Sequence, residues 1–452
     1  MAVQKTHAQW SSRWAFMLAA VGSAVGLGNI WKFPYEAGSG GGGAFVIVYL
    51  LFVFLIGTPL LVAELSLGRR GQQSPIGSMR KIAGEEGRSR WWQIIGWSGV
   101  VGAFVVLSFY SVVGGWTLSY MVDALVGTFS NIDAAGAARH FQDNTIGNEL
   151  RMIAWHAVFM GITLWIVGQG VEGGLEKAVV ALMPALFLLL IILVAYSAAS
   201  ADFGSAVVFL FEPDFTKLTV PTVLEALGQS FFSLSLALGS IMTYGSYLNR
   251  DVSIGQSAVV IASADTLVAL LAGLAIFPIV FSYGLDVGGG PGLIFVSLPI
   301  AFGQMPLGVV IGTLFFALLA VAAITSSISL LEPAVSFIDE NTNFKRRHVA
   351  IVIGLAAFGL GVFSALGQQG NSLGHITLFG MGIMDLKDYV TNNIMMPLGG
   401  LFTAVFVGWF VARKKMMEEL ALAEPWFRVW YFLIRFVCPV AVAAVFISVA
   451  FL

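Results

Sequence analysis

A chain of 452 residues that is 58% hydrophobic and only 11% charged, with a mean hydropathy of +0.88, is excluded from the soluble globular class, where about 25% of residues are charged. The net charge of −2 offers nothing to a nucleic-acid partner. The single cysteine, Cys438, rules out a disulfide framework and a cysteine-based metal site; in its late apolar segment it reads as a small buried hydrophobe.

The first apolar run is read over 14–37. Lys5 and Arg13 precede it as in a secretory leader, but it continues through Trp31 and Phe33 and many spans follow, so it reads as a retained helix. A bilayer core of about 30 Å needs roughly 20 apolar residues per helix. On that basis further spans are expected over 43–68, 93–126, 152–170, 177–199, 221–248, 256–284, 305–338, 348–367, 376–411 and 427–451. The apolar stretch 292–304 after Pro291 is too short to cross and reads as an external re-entrant or surface helix.

Lysine and arginine mark cytoplasmic loops. With the N-terminus inside, 17 of the 23 fall there, among them Arg69, Arg70, Arg80, Lys81, Arg88, Arg90, Lys345, Arg346, Arg347 and Arg413 to Lys415. Only Arg139, Arg151 and Lys217 fall outside; Lys32, Lys387 and Arg435 lie within helices. The expected product is a protein of a bacterial-type inner membrane with a cytoplasmic N-terminus and an external C-terminus.

Two spans carry the marks of a broken helix. Span 1 holds Gly22, Gly26 and Gly28 in GSAVGLGN, and span 6 holds Ser233, Ser235 and Gly239 in SLSLALGS, both near the centre. These spans open consecutive five-helix units, as an inverted repeat requires. The glycines fit close helix packing as well as unwinding; unwound backbone is tolerated at membrane depth only where it lines a cavity. Freed carbonyls suit a hard cation, and freed amides suit a carboxylate.

Span 2 carries Pro59 and then Glu64, an acid placed to bind amides of the broken helices. Tyr110 in span 3 and Phe232 in span 6 fit aromatic gates, or plain packing. Asp265, in the middle of span 7, either neutralises a buried cation or ligates sodium through oxygen. Span 8 presents Thr325, Ser326 and Ser327 beside Ala322 and Ala323; these hydroxyls fit an ion site or bonding to their own turn. Gly40 to Gly43 lack the following Lys-Ser or Lys-Thr of a phosphate loop, and no hydrolase or metalloprotease motif occurs. Nothing in the residues supports an enzyme.

Five motifs, GSAVGLGNIWKFPY, GGGGAF, GTPLLVAELSLGRRG, FFSLSLALGSIMTYGSY and AAITSSISLLEP, resemble those of bacterial members of the neurotransmitter:sodium symporter family, in the same order and over essentially the whole chain. The resemblance implies an all-α polytopic membrane protein of the leucine-transporter (LeuT) type. One transporter domain over 1–452 would comprise repeat one (about 14–199), repeat two (about 221–411) and an eleventh helix (about 427–451).

Family roles carried over by position imply a first sodium site at the Ala24 carbonyl, Asn29, Ser233 and Asp265, completed by the substrate carboxylate. The second would use the carbonyls of Gly22, Val25 and Ala322 with the Thr325 and Ser326 hydroxyls. The substrate pocket would comprise Ser23, Ala24, Leu27, Gly28, Val106 and Tyr110 from the first repeat. Phe232, Ser233, Ser235, Leu238, Ser326 and Leu330 would complete it from the second. Tyr110 and Phe232 match the lid, Lys32 and Asp388 the external gate, and Gly174 with Pro184 the feature that unwinds span 5.

Departures from the family carry information. Lys32 replaces an arginine, so bidentate pairing with Asp388 is lost. His7 replaces an internal-gate arginine, leaving Lys5 or His7 to pair with Glu340. Asp265 replaces an asparagine and brings its own negative charge to a spot where chloride-dependent members place an anion beside residues matching Tyr49, Gln229 and Ser233. Ala269 weakens that anion site further, so chloride is not expected. Gly26 stands where amine carriers have an aspartate, which favours substrates with their own carboxylate. Ala237, where glycine is common, is expected to limit unwinding of span 6 and disfavour the bulkiest rings. The expected activity is sodium-coupled symport of neutral, mainly hydrophobic amino acids by alternating access. A zwitterionic osmolyte carrier, a non-transporting amino-acid sensor and a membrane scaffold are the alternatives.

Overall fold

The computed structural model of the protein describes residues 9–287 and 292–451. Lys5, His7 and Pro291 therefore lie outside the described residues. Nine helices among those described are long and apolar enough to cross a membrane. They are span 2 (Gly43–Gly71), span 3 (Arg90–Leu125), span 4 (Glu149–Gly168), span 5 (Val171–Ser200), span 7 (Ile254–Ser282), span 8 (Gly308–Asn341), span 9 (Arg346–Leu366), span 10 (Ile383–Phe410) and span 11 (Glu424–Ala444). Span 1 is a bent pair, Arg13–Ala24 and Gly28–Ser39, with 47° between its halves. Span 6, expected over 221–248 with a break near its centre, is likewise two pieces, Val220–Ser233 and Ser240–Ser246.

Local chemistry accounts for these boundaries. The Ser12 hydroxyl accepts from the Ala15 N–H at 3.1 Å and starts span 1. Pro221 in the first turn of Val220–Ser233 gives up no needed donor. Span 10 begins at Ile383 and not at 376, because Phe379 (φ 56°) and Gly380 (φ 77°) turn the chain out of helical geometry. The stretch 292–304 forms the short apolar helix Leu293–Gln304, as its length dictates. Four further short helices among the described residues, Pro75–Glu85, Ala134–Arg139, Phe203–Phe211 and Arg413–Leu420, join the spans.

Glycine sets how closely the spans meet. A Cβ on Gly99 of span 3 would lie 2.8 Å from the Gly239 nitrogen, so span 3 packs directly on the unwound stretch of span 6. One on Gly115 would lie 2.8 Å from the His156 nitrogen, which fixes span 3 against span 4. Span 8 lies along span 3 and touches the first half of span 1. Both broken helices are thereby enclosed by continuous ones.

Candidate functional site

Span 1 loses its helix between Ala24 and Gly28, where Val25 is extended (φ −72°, ψ 111°). The Asn29 side-chain oxygen accepts the Gly26 N–H at 3.0 Å and replaces one lost backbone bond. In span 6 the break covers 234–239, with Ser235 at φ 52°, Ala237 at 61° and Gly239 at 72°. Alanine was expected to limit this unwinding. Instead Ala237 takes the left-handed conformation itself, at about 1–2 kcal/mol of strain. Glu64, buried in span 2, holds it there by accepting the Ala237 N–H at 2.7 Å, the role its position suggested.

The two breaks meet at Asp265, which is 0% exposed. One carboxylate oxygen accepts from Asn29 Nδ2 at 2.7 Å. The other accepts from the Ser233 hydroxyl at 2.5 Å and the Tyr49 hydroxyl at 3.2 Å. No lysine or arginine among the described residues pairs with it. Burying a carboxylate without a counter-charge costs several kcal/mol. The cluster supplies hydroxyl and carboxylate oxygens, which suit a hard monovalent cation, while Asn29 faces it with its amide nitrogen and gives its oxygen to the Gly26 N–H. The Gln229 amide, which donates to the Gly28 carbonyl at 2.7 Å, completes the shell around the break.

A second group of oxygens joins span 1 to span 8. Ser326 donates to the Val25 carbonyl at 3.2 Å, and Thr325 donates to the Ala322 carbonyl at 3.0 Å. A Cβ on Gly22 would lie 3.4 Å from the Thr325 Cβ. The sequence-derived set Gly22, Val25, Ala322, Thr325 and Ser326 is thus brought together.

Between these clusters lies a small pocket of about 20 Å³, lined by Ser23, Ala24, Gly26, Gly28, Val106, Tyr110, Phe232, Ser235, Leu238, Ser326 and Leu330. Ten of the twelve expected pocket residues line it. Leu27 faces an outer cavity instead, and the Ser233 hydroxyl is turned into the Asp265 cluster. Gly26 lines it as well, in keeping with its place where amine carriers have an aspartate; a Cβ there would lie 3.0 Å from the Tyr110 oxygen and press on Ser326. The Tyr110 hydroxyl accepts the Leu27 N–H at 3.2 Å, and Ser235 donates to the Ser23 carbonyl at 2.7 Å. The pocket has room for about one water, so admitting anything larger requires Tyr110 and Phe232 to move.

Tyr110 and Phe232 also line an outer cavity of about 290 Å³, together with Trp31, Lys32, Asp385 and Asp388. These two rings therefore form the partition between the cavities. The expected Lys32–Asp388 pairing is not made. Lys32 instead points along its own helix to Glu36, at 3.6 Å, and lies 4.9 Å over the Phe232 ring. Asp388 accepts from Asn392 at 2.6 Å. A lysine ammonium can follow its i+4 acid, whereas the fork of an arginine would favour a bidentate partner across the gap.

The opposite end is closed by packing. Trp10 is 2% exposed, donates to the Tyr244 carbonyl at 3.1 Å and stands edge-on to the Tyr244 and Tyr247 rings. Tyr247 donates to Glu332 at 2.7 Å, and Arg346 forms an ion pair with the same carboxylate. Glu340 accepts the Ser74 N–H at 2.7 and 2.9 Å and caps Pro75–Glu85. The sequence reading missed Trp10, Glu332 and Arg346 as closing residues; a glutamate within an apolar span followed by an arginine run was the available signal.

Comparison with known proteins fits this geometry. The family model described as the sodium:neurotransmitter symporter family matches residues 7–151 and 139–451. The chain is 39% identical to YhdH, a sodium-dependent transporter of Bacillus subtilis, over 97% of each chain. It is 34% identical to a sodium-dependent transporter of Haemophilus influenzae over 98% of each. The crystal structure of MhsT in complex with L-phenylalanine superposes with a TM-score of 0.91 at 40% identity, covering 98% of this chain and all of that one.

Proposed function

The chain belongs to the sodium:neurotransmitter symporter family, a multi-pass, sodium-dependent transporter and not an enzyme, and from that premise we propose that it carries neutral, mainly hydrophobic amino acids across a bacterial inner membrane together with two sodium ions. The N-terminus would lie in the cytoplasm and the C-terminus outside. The observation that carries this reading is Asp265, a buried carboxylate without a cationic side-chain partner among the described residues, where both unwound stretches meet.

One sodium ion takes the Ala24 carbonyl, Asn29, Ser233, Asp265 and the substrate carboxylate. The other takes the Gly22, Val25 and Ala322 carbonyls with the Thr325 and Ser326 hydroxyls. Chloride is not required, because Asp265 already supplies the negative charge that the Tyr49 and Ser233 hydroxyls hold. The substrate side chain rests on Val106, Phe232, Leu238 and Leu330, where a charged group would have no partner. An MhsT complex with L-phenylalanine at 40% identity supports an amino acid of this class.

Binding from the outer cavity moves the Tyr110–Phe232 partition. Sodium and substrate then tie span 1 to spans 6, 7 and 8. Lys32 leaves Glu36 for Asp388 and seals the outer cavity, while Trp10 separates from Tyr244 and Tyr247 from Glu332 to open the inner side. Each sodium contributes about 2.3 kcal/mol per 100 mV of membrane potential.

Equilibrium binding of labelled L-leucine and L-phenylalanine to the purified protein tests the site. The expected result is binding in sodium that vanishes in potassium and is displaced by neither lysine nor glycine betaine. Equal displacement by betaine would transfer the site to an osmolyte.

A further inference from the structure

Spans 4 and 9 enclose a groove of about 400 Å³ at the ends that carry Gly168 and Arg347, lined by Leu164, Trp165, Gly168, Gln169, Arg347 and Ile351. It is remote from the pocket between the broken helices, and nothing in the transport cycle uses it. Its lining is layered. Leu164, Trp165 and Ile351 give an apolar wall on the side toward the middle of the spans, and Trp165 is 69% exposed. Gln169 and Arg347 lie at the helix ends, and Gln169 donates to the Trp165 carbonyl at 3.3 Å. Span 9 presses on span 4 beneath the groove, where a Cβ on Gly354 would clash with Leu164.

The charges are divided unequally. Arg346 turns inward to Glu332. Arg347 is exposed and makes no ion pair among the described residues, and the exposed Lys345 and His348 flank it. An exposed tryptophan above an unpaired arginine, at the end of an apolar slot, has the vertical order of a lipid: acyl chain, interface, phosphate.

We propose that this groove is a binding site for one anionic phospholipid, with its phosphate on Arg347 and Gln169 and an acyl chain against Leu164, Trp165 and Ile351. Charge complementarity selects an anionic headgroup, since Arg347 lines the groove, makes no ion pair among the described residues and has the exposed Lys345 close by in the chain. Arg347 follows the residue that holds Glu332 in the inner closure, so an occupied groove stabilises span 9 in the closed arrangement.

The test uses the full chain in nanodiscs and in detergent, read by native mass spectrometry and by thermal unfolding. Phosphatidylglycerol should remain as a discrete one-lipid adduct and raise the melting temperature. Phosphatidylcholine and inorganic phosphate should do neither. Arg347→Gln should weaken the adduct about fivefold, the effect of one interfacial cation, and Ile351→Trp should block it by filling the slot. Lys414→Gln, outside the groove, should leave it unchanged. Arg347 is exposed and Ile351 half-buried, and a cooperative melt of each variant in phosphatidylcholine shows that it is folded. Equal phosphatidylglycerol retention in Arg347→Gln and wild type, or an equal response to inorganic phosphate, overturns the proposal. Neither readout depends on amino-acid transport.

Discussion

Replacing Asp265 with asparagine keeps the shape of the side chain and removes its charge. A unit cation about 4 Å from a carboxylate interacts with roughly 4 kcal/mol at an effective dielectric near 20. Desolvation already offsets part of this, because the carboxylate is 0% exposed. A net loss of about 1.4–3 kcal/mol follows, which raises the sodium concentration for half-maximal uptake ten- to a hundredfold. The sign reverses without sodium: the amide relieves an uncompensated buried charge, so the sodium-free variant should melt higher than the wild type. Its sodium-induced rise should be smaller. The Tyr49 and Ser233 hydroxyls, released from the carboxylate, can donate to an external anion, so chloride should partly restore activity in the variant alone. The assay is sodium-titrated uptake into proteoliposomes, in chloride and in gluconate, beside melting curves with and without sodium. Unchanged sodium and chloride dependence would refute the assignment of Asp265.

Glu64→Ala should leave the Ala237 N–H unpaired, lower stability by about 1–3 kcal/mol and abolish uptake, with thermal unfolding and transport measured together. Ala237→Gly should raise stability by about 1 kcal/mol by relieving a φ of 61°, seen as a higher melting temperature. Glu86 follows Pro75–Glu85; burial raises its carboxyl, but Arg70, the Ala412 N–H and Lys415 outweigh this and hold it below its ordinary value of 4.5. Its contribution is therefore full at neutral pH and lost in acid. The melting-temperature gap between wild type and Glu86→Gln should close as the pH falls below 4.5.

Those features that follow from local chemistry were legible in the sequence. A lone Asp265 in an apolar run, and Gly26 and Gly239 amid small polar residues, signal buried charge and broken helix because few other arrangements tolerate them. Glu64 was legible for the same reason. The partner of Lys32 was not, since Glu36 and Asp388 both suit an ammonium and only tertiary placement chooses between them. Apolar composition hid the turn at Gly380 and extended span 10 too far. Ala237 misled because its intrinsic preference opposes the left-handed region, whereas its neighbours Glu64 and Gly239 impose it. Pro75–Glu85 went unread because it is amphipathic and too short for a span, although Ser74-Pro75 is a helix start.

The central claim is that a sodium gradient drives accumulation of a neutral amino acid. Its most direct test is uptake of labelled L-leucine and L-phenylalanine into proteoliposomes, with an inward sodium gradient set against a potassium control. Accumulation above equilibrium in sodium alone, collapsing when the gradient is dissipated, is the predicted result. Sodium-dependent binding without accumulation would contradict symport and identify the protein as a sensor built on a transporter fold.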